Sequence, residues 1–149
     1  VFTGQNNTIF PLSGVRNHYV EYLKKYSGFY AFGKGFGQHV TPSVYRKAKI
    51  GISLNHYDTS RTYSNRMYQI IDGGALCVCY QTKNIKEVFG NNVLYFNTEK
   101  ELKEIIDYYL NNENERAAIC EKAKSFIRNT HTWKHKAIEI NKFINDLRT

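Results

Sequence analysis

Apolar residues follow two patterns along this chain: short continuous runs, and longer segments in which apolar positions recur every three or four residues. The short runs predict strands. Because each run is apolar at both alternating positions, we expect helices to cover both faces of the sheet. The predicted strands span residues 1–3, 29–32, 50–54, 75–78 and 93–96.

The periodic segments predict helices between and after these strands. Ser13 is expected to be the N-cap of the first helix, which ends near Gly28. The capping box of Thr98 and Glu101 opens the clearest amphipathic segment in the chain. The remaining helices are expected over residues 42–48, 63–71, 114–128 and 132–147.

The order of these elements predicts the fold class. Strands that alternate with helices, followed by a helical tail, are typical of an α/β fold: here a Rossmann-like, doubly wound parallel sheet of about five or six strands with a helical C-terminal tail. The last helix is expected to turn an apolar stripe towards the core, formed by Trp133, Ala137, Ile140, Ile144 and Leu147.

Length and composition indicate one soluble domain over residues 1–149, with 42% hydrophobic and 23% charged residues. No apolar run approaches the roughly 20 residues that span a bilayer, so any membrane contact is expected to be peripheral, at the inner membrane surface. Val1 lies inside an apolar run, with no initiator Met or signal-peptide pattern. We therefore expect the chain to be an excised part of a longer protein.

We expect neither a metal site nor a cofactor, and the cysteines and histidines agree with the absence of a metal site. Cys77 and Cys79 alternate within an apolar run and with Cys120 make an odd number, which is typical of buried, reduced thiols in a cytoplasmic protein. His131 and His135 could share a metal or form an ordinary surface pair, but no third ligand accompanies them.

The net charge of +8 makes anionic partners plausible. They include nucleotide phosphates, nucleic acid and an acidic membrane surface, while a basic solvated surface is the simple alternative. In doubly wound sheets, ligands bind beyond the carboxyl ends of the strands. Candidate binding residues are therefore sought in the loops that follow the predicted strands.

Two arginines stand close to these loops. Gly4 opens the first loop, and the helix after it carries Arg16 in its first turn. A cation there interacts unfavourably with the helix dipole, and a bound phosphate would offset this penalty. Arg16 could equally extend to solvent. The third loop begins at Asn55 and leads to Arg66 in an early helical turn, which repeats the arrangement and favours an anion site.

Glycines supply the other candidates. Gly33 and Gly35, with Lys34 between them, could let a backbone approach a nucleotide or could form a plain turn, and their spacing does not fit the dinucleotide fingerprint. Gly73 and Gly74 could contact a ligand, although a helix C-cap is the simpler interpretation.

A family resemblance rests on several segments in order: YRKAKIGISLN (45–55), RMYQIIDGGALCVC (66–79), IKEVFGNNVLYF (85–96), ELKEIIDYYLNNENERAAI (101–119) and HTWKHKA (131–137). Together they resemble the donor-binding C-terminal domain of group 1 glycosyltransferases, particularly the CgeB-like subgroup. This resemblance implies one half of the two-domain GT-B fold, which binds a nucleotide-diphosphate sugar without a metal. The N-terminal domain of the same enzyme and an acceptor, which could be a glycan, a protein or a small molecule, would complete the site.

The strand-end loops and the resemblance together predict a donor-binding site formed by Gly4, Arg16, Gly33, Gly35, Asn55, Arg66, Gln69, Gly73 and Gly74. It leaves the catalytic residues unknown. Many group 1 enzymes carry two glutamates that here are replaced by Arg61 and Gln69. Because glutamine still bonds hydroxyl groups, donor binding survives this change more easily than turnover. The alternative is a non-catalytic basic module, either a degenerate transferase domain that serves as a scaffold or a binder of nucleic acid or an acidic surface.

Overall fold

The computed structural model describes residues 1–4, 8–33, 41–59 and 63–148. Five strands and seven α-helices lie in these ranges. In chain order they are β1 (Phe2–Thr3), α1 (Ser13–Leu23), β2 (Ala31–Phe32), α2 (Thr41–Arg46), β3 (Ile50–Ser53), α3 (Arg66–Asp72), β4 (Leu76–Tyr80), α4 (Ile85–Phe89), β5 (Leu94–Phe96), α5 (Glu99–Asn111), α6 (Glu113–Thr130) and α7 (Trp133–Asp146).

The strands form a parallel arrangement in the order β2-β1-β3-β4-β5. β1 pairs with β2, and β3 pairs with β4, which pairs with β5. Two backbone hydrogen bonds join the groups, from Val1 N to the Ile50 carbonyl at 2.7 Å and from Ile52 N to the Val1 carbonyl at 2.8 Å. The chain places β2 on one side of β1 and then β3, β4 and β5 in succession on its other side. The predicted doubly wound fold is therefore confirmed.

Both faces of the sheet are covered, as the apolar strands predict. On one face, Leu76 and Val78 of β4 pack with residues of α1 and α5. On the other face, Cys77 and Cys79 pack with residues of α2, α3, α4 and α6. Strand side chains alternate between faces, so adjacent residues of one strand enter different cores. All three cysteines are free and buried.

Two glycines allow the helices of the second face to approach closely. A Cβ at Gly51 in β3 would lie 2.6 Å from Cγ2 of Ile70 in α3, and a Cβ at Gly73 would lie 2.6 Å from Cβ of Tyr45 in α2. These separations are shorter than van der Waals contact. Glycine at these positions therefore sets how close α3 lies to β3 and α2.

Two details of the predicted helices are wrong. Ser13 is the first residue of α1 rather than its N-cap, which is Leu12, and the α-helix ends at Leu23, with turns continuing to Gly28. The Ser13 hydroxyl instead accepts from Phe10 N at 3.1 Å. A serine near a helix start can bond the preceding loop as well as the helix, so the sequence pattern alone does not locate the cap.

The apolar stripe on α7 does not face the core. Trp133 is 90% exposed, Ile140 58% and Leu147 71%, and α7 has no buried residue. The stripe has the predicted helical period, but its side chains are exposed. Separately, no helix in the described ranges combines the length and apolar character needed to cross a membrane.

The capping box that opens α5 should contribute measurably to stability. The Thr98 hydroxyl accepts from Glu101 N at 3.2 Å, and the Glu101 carboxylate accepts from Thr98 N at 3.1 Å. Because α5 buries Leu102 and Ile106, Thr98→Ala should lower the free energy of unfolding by about 1 kcal/mol in urea titrations.

Thr132→Ala is a matched control, because Thr132 and His135 form a capping box on α7, which has no buried residue. Loss of this cap should fray α7 and leave the urea midpoint of the core unchanged. Equal losses from the two variants would contradict this assignment.

Candidate functional site

Two arginines from different helices meet at the carboxyl end of β3. Arg16 of α1 donates from Nη1 to the Leu54 carbonyl at 3.2 Å, and Arg66, the first residue of α3, donates from Nη1 to the same oxygen at 3.1 Å. One main-chain oxygen thus orients both guanidinium groups. We call Arg16 and Arg66 the arginine pair.

The aromatic ring of Phe2 in β1 supports both members of the pair. The guanidinium carbons of Arg16 and Arg66 lie 4.7 and 4.9 Å from the centroid of this ring. Such distances permit a cation–π attraction to each arginine. Phe2 therefore offsets part of the repulsion between two neighbouring positive charges.

Gly4, immediately after β1, lies against the guanidinium groups of both arginines. A Cβ at this position would lie 2.1 Å from Nη2 of Arg16 and 2.6 Å from Nη2 of Arg66. Its φ of +144° also disfavours residues with a side chain. The Nη2 groups of both arginines thus lie against the backbone at Gly4, where a side chain would displace them.

The charge of the pair is not neutralised within the described part of the chain. Neither arginine forms an ion pair with a described carboxylate. Arg16 is only 1% exposed, and its Nε and Nη2 have no hydrogen-bond partner there. Buried charges are normally paired. Two adjacent arginines without an acid therefore indicate a place for an external anion.

Burial lowers the affinity of both arginines for protons. Burial, followed by the positive charge of Arg66, lowers the pKa of Arg16 to about 10, and burial likewise lowers the pKa of Arg66. A pKa of about 10 leaves Arg16 charged at neutral pH. Arg16 therefore remains cationic where it would meet a phosphate.

The topology places this pair at the switch point of the sheet. β1 and β3 are neighbours whose connections leave in opposite directions, and Gly4 and Leu54 follow these strands. The crevice at such a point is where doubly wound folds bind ligands. The electrostatic and topological criteria thus coincide.

His56 is a further polar group beside Arg16. Its Nε2 lies 3.0 Å from Arg16 Nη1, and its ring packs on Phe10 with centroids 4.5 Å apart. Burial, then the charges of Arg16 and Arg66, lowers the pKa of His56. The imidazole is therefore held in its neutral form at neutral pH.

Asn55 lies next to the pair, but its side chain connects loops. Its Oδ1 accepts from Ser64 N at 3.1 Å, and its Nδ2 donates to the Thr82 hydroxyl at 3.2 Å. Asn55 is buried and thereby links the end of β3 to the segments that precede α3 and α4. Its geometry indicates support for the loops around the pair.

The contacts of the arginine pair described above do not include the other predicted residues. Gln69 is partly buried, one helical turn after Arg66, whereas Gly73 and Gly74 end α3 at the opposite edge of the sheet, where Gly74 has a φ of +84°. Gly33 follows β2, and a Cβ at this position would have nothing within 4 Å. Gly35 and Arg61 lie outside the described residues.

Several residues of the site are not predicted by the sequence pattern. Phe2 and Leu54 are expected only as strand residues, yet one supports both guanidinium groups and the other orients them through its carbonyl. Thr3 also contributes, because its hydroxyl bonds the Tyr45 hydroxyl at 2.8 Å and joins α2 to the end of β1. An aromatic residue at a strand end beside two arginine-bearing helices is a signal that could have pointed to Phe2.

Comparison with known proteins adds an independent finding. The model of a family described as glycosyl transferase-like matches residues 10–142 of the chain. The matched segment includes both arginines and the carbonyl that joins them. Comparison with curated proteins and with solved structures gives no match.

Removal of the unneutralised charge at Arg16 is expected to change the free energy of unfolding. Arg16→Met keeps a long side chain on Phe2 but removes a buried cation that faces another cation. We expect the free energy of unfolding to rise by about 1–2 kcal/mol, since replacing poorly compensated buried charge with apolar volume is often stabilising. The midpoint of urea unfolding measures this change.

Arg116→Met is the matched control. Arg116 is also buried, at 7% exposure, but it donates to the Tyr109 carbonyl and lies 3.8 Å from the Glu113 carboxylate. Its loss should destabilise the protein by about 1 kcal/mol. Destabilisation by Arg16→Met of the same size would show that Arg16 is an ordinary structural residue.

Proposed function

Because the chain belongs to the glycosyl transferase-like family, we propose that it is a glycosyltransferase domain whose arginine pair binds the diphosphate of a nucleotide-sugar donor. The observation that carries this proposal is the meeting of Arg16 and Arg66 on one carbonyl without a described carboxylate. A guanidinium group presents N–H donors in a fork that matches phosphate oxygens. A diphosphate would satisfy both arginines together.

The same contacts would assist the chemical step. When the bond between the anomeric carbon and the diphosphate oxygen breaks, negative charge grows on the leaving nucleotide diphosphate. Two preorganised cations stabilise that charge more than the charge of the bound donor, which lowers the barrier. The arginines themselves supply this positive charge, so the proposal gives no role to a divalent metal.

The proposal assigns the reaction to a two-domain enzyme of the GT-B type. This chain supplies the donor site, and the N-terminal domain supplies most of the acceptor site. We assign Gln69, one turn beyond Arg66, to a hydroxyl of the donor, because its amide can both donate and accept. Assignment to the CgeB-like subgroup rests on the segments between Tyr45 and Ala137 that resemble it. The three buried free thiols support a reducing, cytoplasmic setting.

A thermal-shift titration with UDP, GDP and ADP tests donor binding. At ten times Kd, the nucleotide that fits should stabilise the domain by about 1.4 kcal/mol and raise Tm by about 3–6 °C. Arg66→Ala and Arg16→Met should abolish this rise. Because we expect Arg16→Met to be the more stable protein, its loss of binding would not reflect unfolding.

Arg128→Ala is the control for a general loss of positive charge, because Arg128 is an exposed arginine on α6. It should leave the nucleotide shift unchanged. No shift with any nucleotide, in a wild-type sample that unfolds cooperatively, would overturn the proposal. Binding of single-stranded RNA with a steep salt dependence, without a nucleotide effect, would favour the non-catalytic module instead.

A further inference from the structure

His56 is held in one orientation by contacts on three sides. Its carbonyl accepts from Leu12 N at 3.1 Å, its ring packs on Phe10, and its Nε2 lies 3.0 Å from Arg16 Nη1. These contacts connect it to the start of α1 and to the arginine pair. The imidazole thus has a defined position beside the anion site.

The partner of Nε2 determines the tautomer. An arginine N–H can only donate, so Nε2 must accept and the imidazole proton must reside on Nδ1. Nδ1 is buried and has no hydrogen-bond partner within the described residues. A buried N–H without an acceptor costs about 1–3 kcal/mol, so an acceptor from outside the chain would be stabilising.

Space for such an acceptor lies next to the ring. His56 lines a cavity of about 260 Å³ together with Asn55, Tyr57, Tyr63 and Ser64. His56 is the side chain that belongs both to this cavity and to the contacts of Arg16. His56 therefore connects this cavity to the contacts of Arg16.

We propose that His56 is a third anion-binding residue, whose Nδ1–H donates to a phosphoryl oxygen of the ligand held by Arg16 and Arg66. This inference rests on the proposed function. A neutral donor suits this position, because a third cation would be repelled by the arginine pair before the ligand arrives. The lowered pKa of His56, caused by burial and by both arginines, agrees with a neutral imidazole.

Two amide variants separate donation to the ligand from mere orientation of Arg16. The amide of asparagine can occupy the position of Nδ1, and that of glutamine the position of Nε2. His56→Gln therefore keeps an acceptor for Arg16 but has no donor towards the ligand, whereas His56→Asn keeps the donor. Calorimetric titration with inorganic pyrophosphate and UDP should show Kd weakened about 10- to 100-fold in His56→Gln and less in His56→Asn.

A loss in His56→Gln equal to or smaller than that in His56→Asn would overturn the inference. Should either variant fail to fold, nitrogen NMR of the wild-type imidazole gives the same answer. The inference expects a protonated Nδ1 whose proton resonance moves downfield when pyrophosphate binds, and an unchanged resonance overturns it. Failure of wild type to bind either ligand would refute the proposed function, whereas normal binding by His56→Gln beside loss in Arg66→Ala would refute only the role of His56.

Discussion

The Leu54 carbonyl is the contact on which the arrangement of the site depends. It accepts from Arg16 and from Arg66, and so it brings together two side chains that would otherwise repel each other. The ring of Phe2 and the bare backbone of Gly4 make room for the two guanidinium groups. None of these contacts brings a negatively charged group to the two arginines. The two guanidinium groups are held in position while no described carboxylate balances their charge, and the proposed anion would supply that charge.

Close packing of α3, away from the two guanidinium groups, positions Arg66 beside Arg16. Gly51 lets α3 lie directly on β3, which brings the first residue of α3 to the strand end. Gly73 does the same for α3 against Tyr45, whose hydroxyl reaches Thr3 beside the pair. A side chain at either glycine would shift α3 and with it Arg66. Gly51 and Gly73 thus support the site through the position of α3.

Membership of the glycosyl transferase-like family rests on the sequence match, and the geometry of the pair adds an electrostatic observation that the proposed donor binding would explain. The family match is a statement about sequence across residues 10–142, whereas the missing countercharge is a statement about electrostatics at one strand end. The apolar stripe on α7, by contrast, is exposed.

The sequence by itself determined the fold class, because runs of apolar residues on both alternations can be buried only between two helical layers. It also indicated Gly4 and Arg66 as residues beside strand ends. Only the tertiary structure decided which of these residues meet. It brought Arg16 and Arg66 to one carbonyl, used the polar atoms of Asn55 between loops and left the stripe of α7 exposed. The periodicity of apolar residues indicates which side of a helix or strand is apolar. Which element covers that side, and which group bonds a given polar atom, depend on contacts between residues that are distant in the chain.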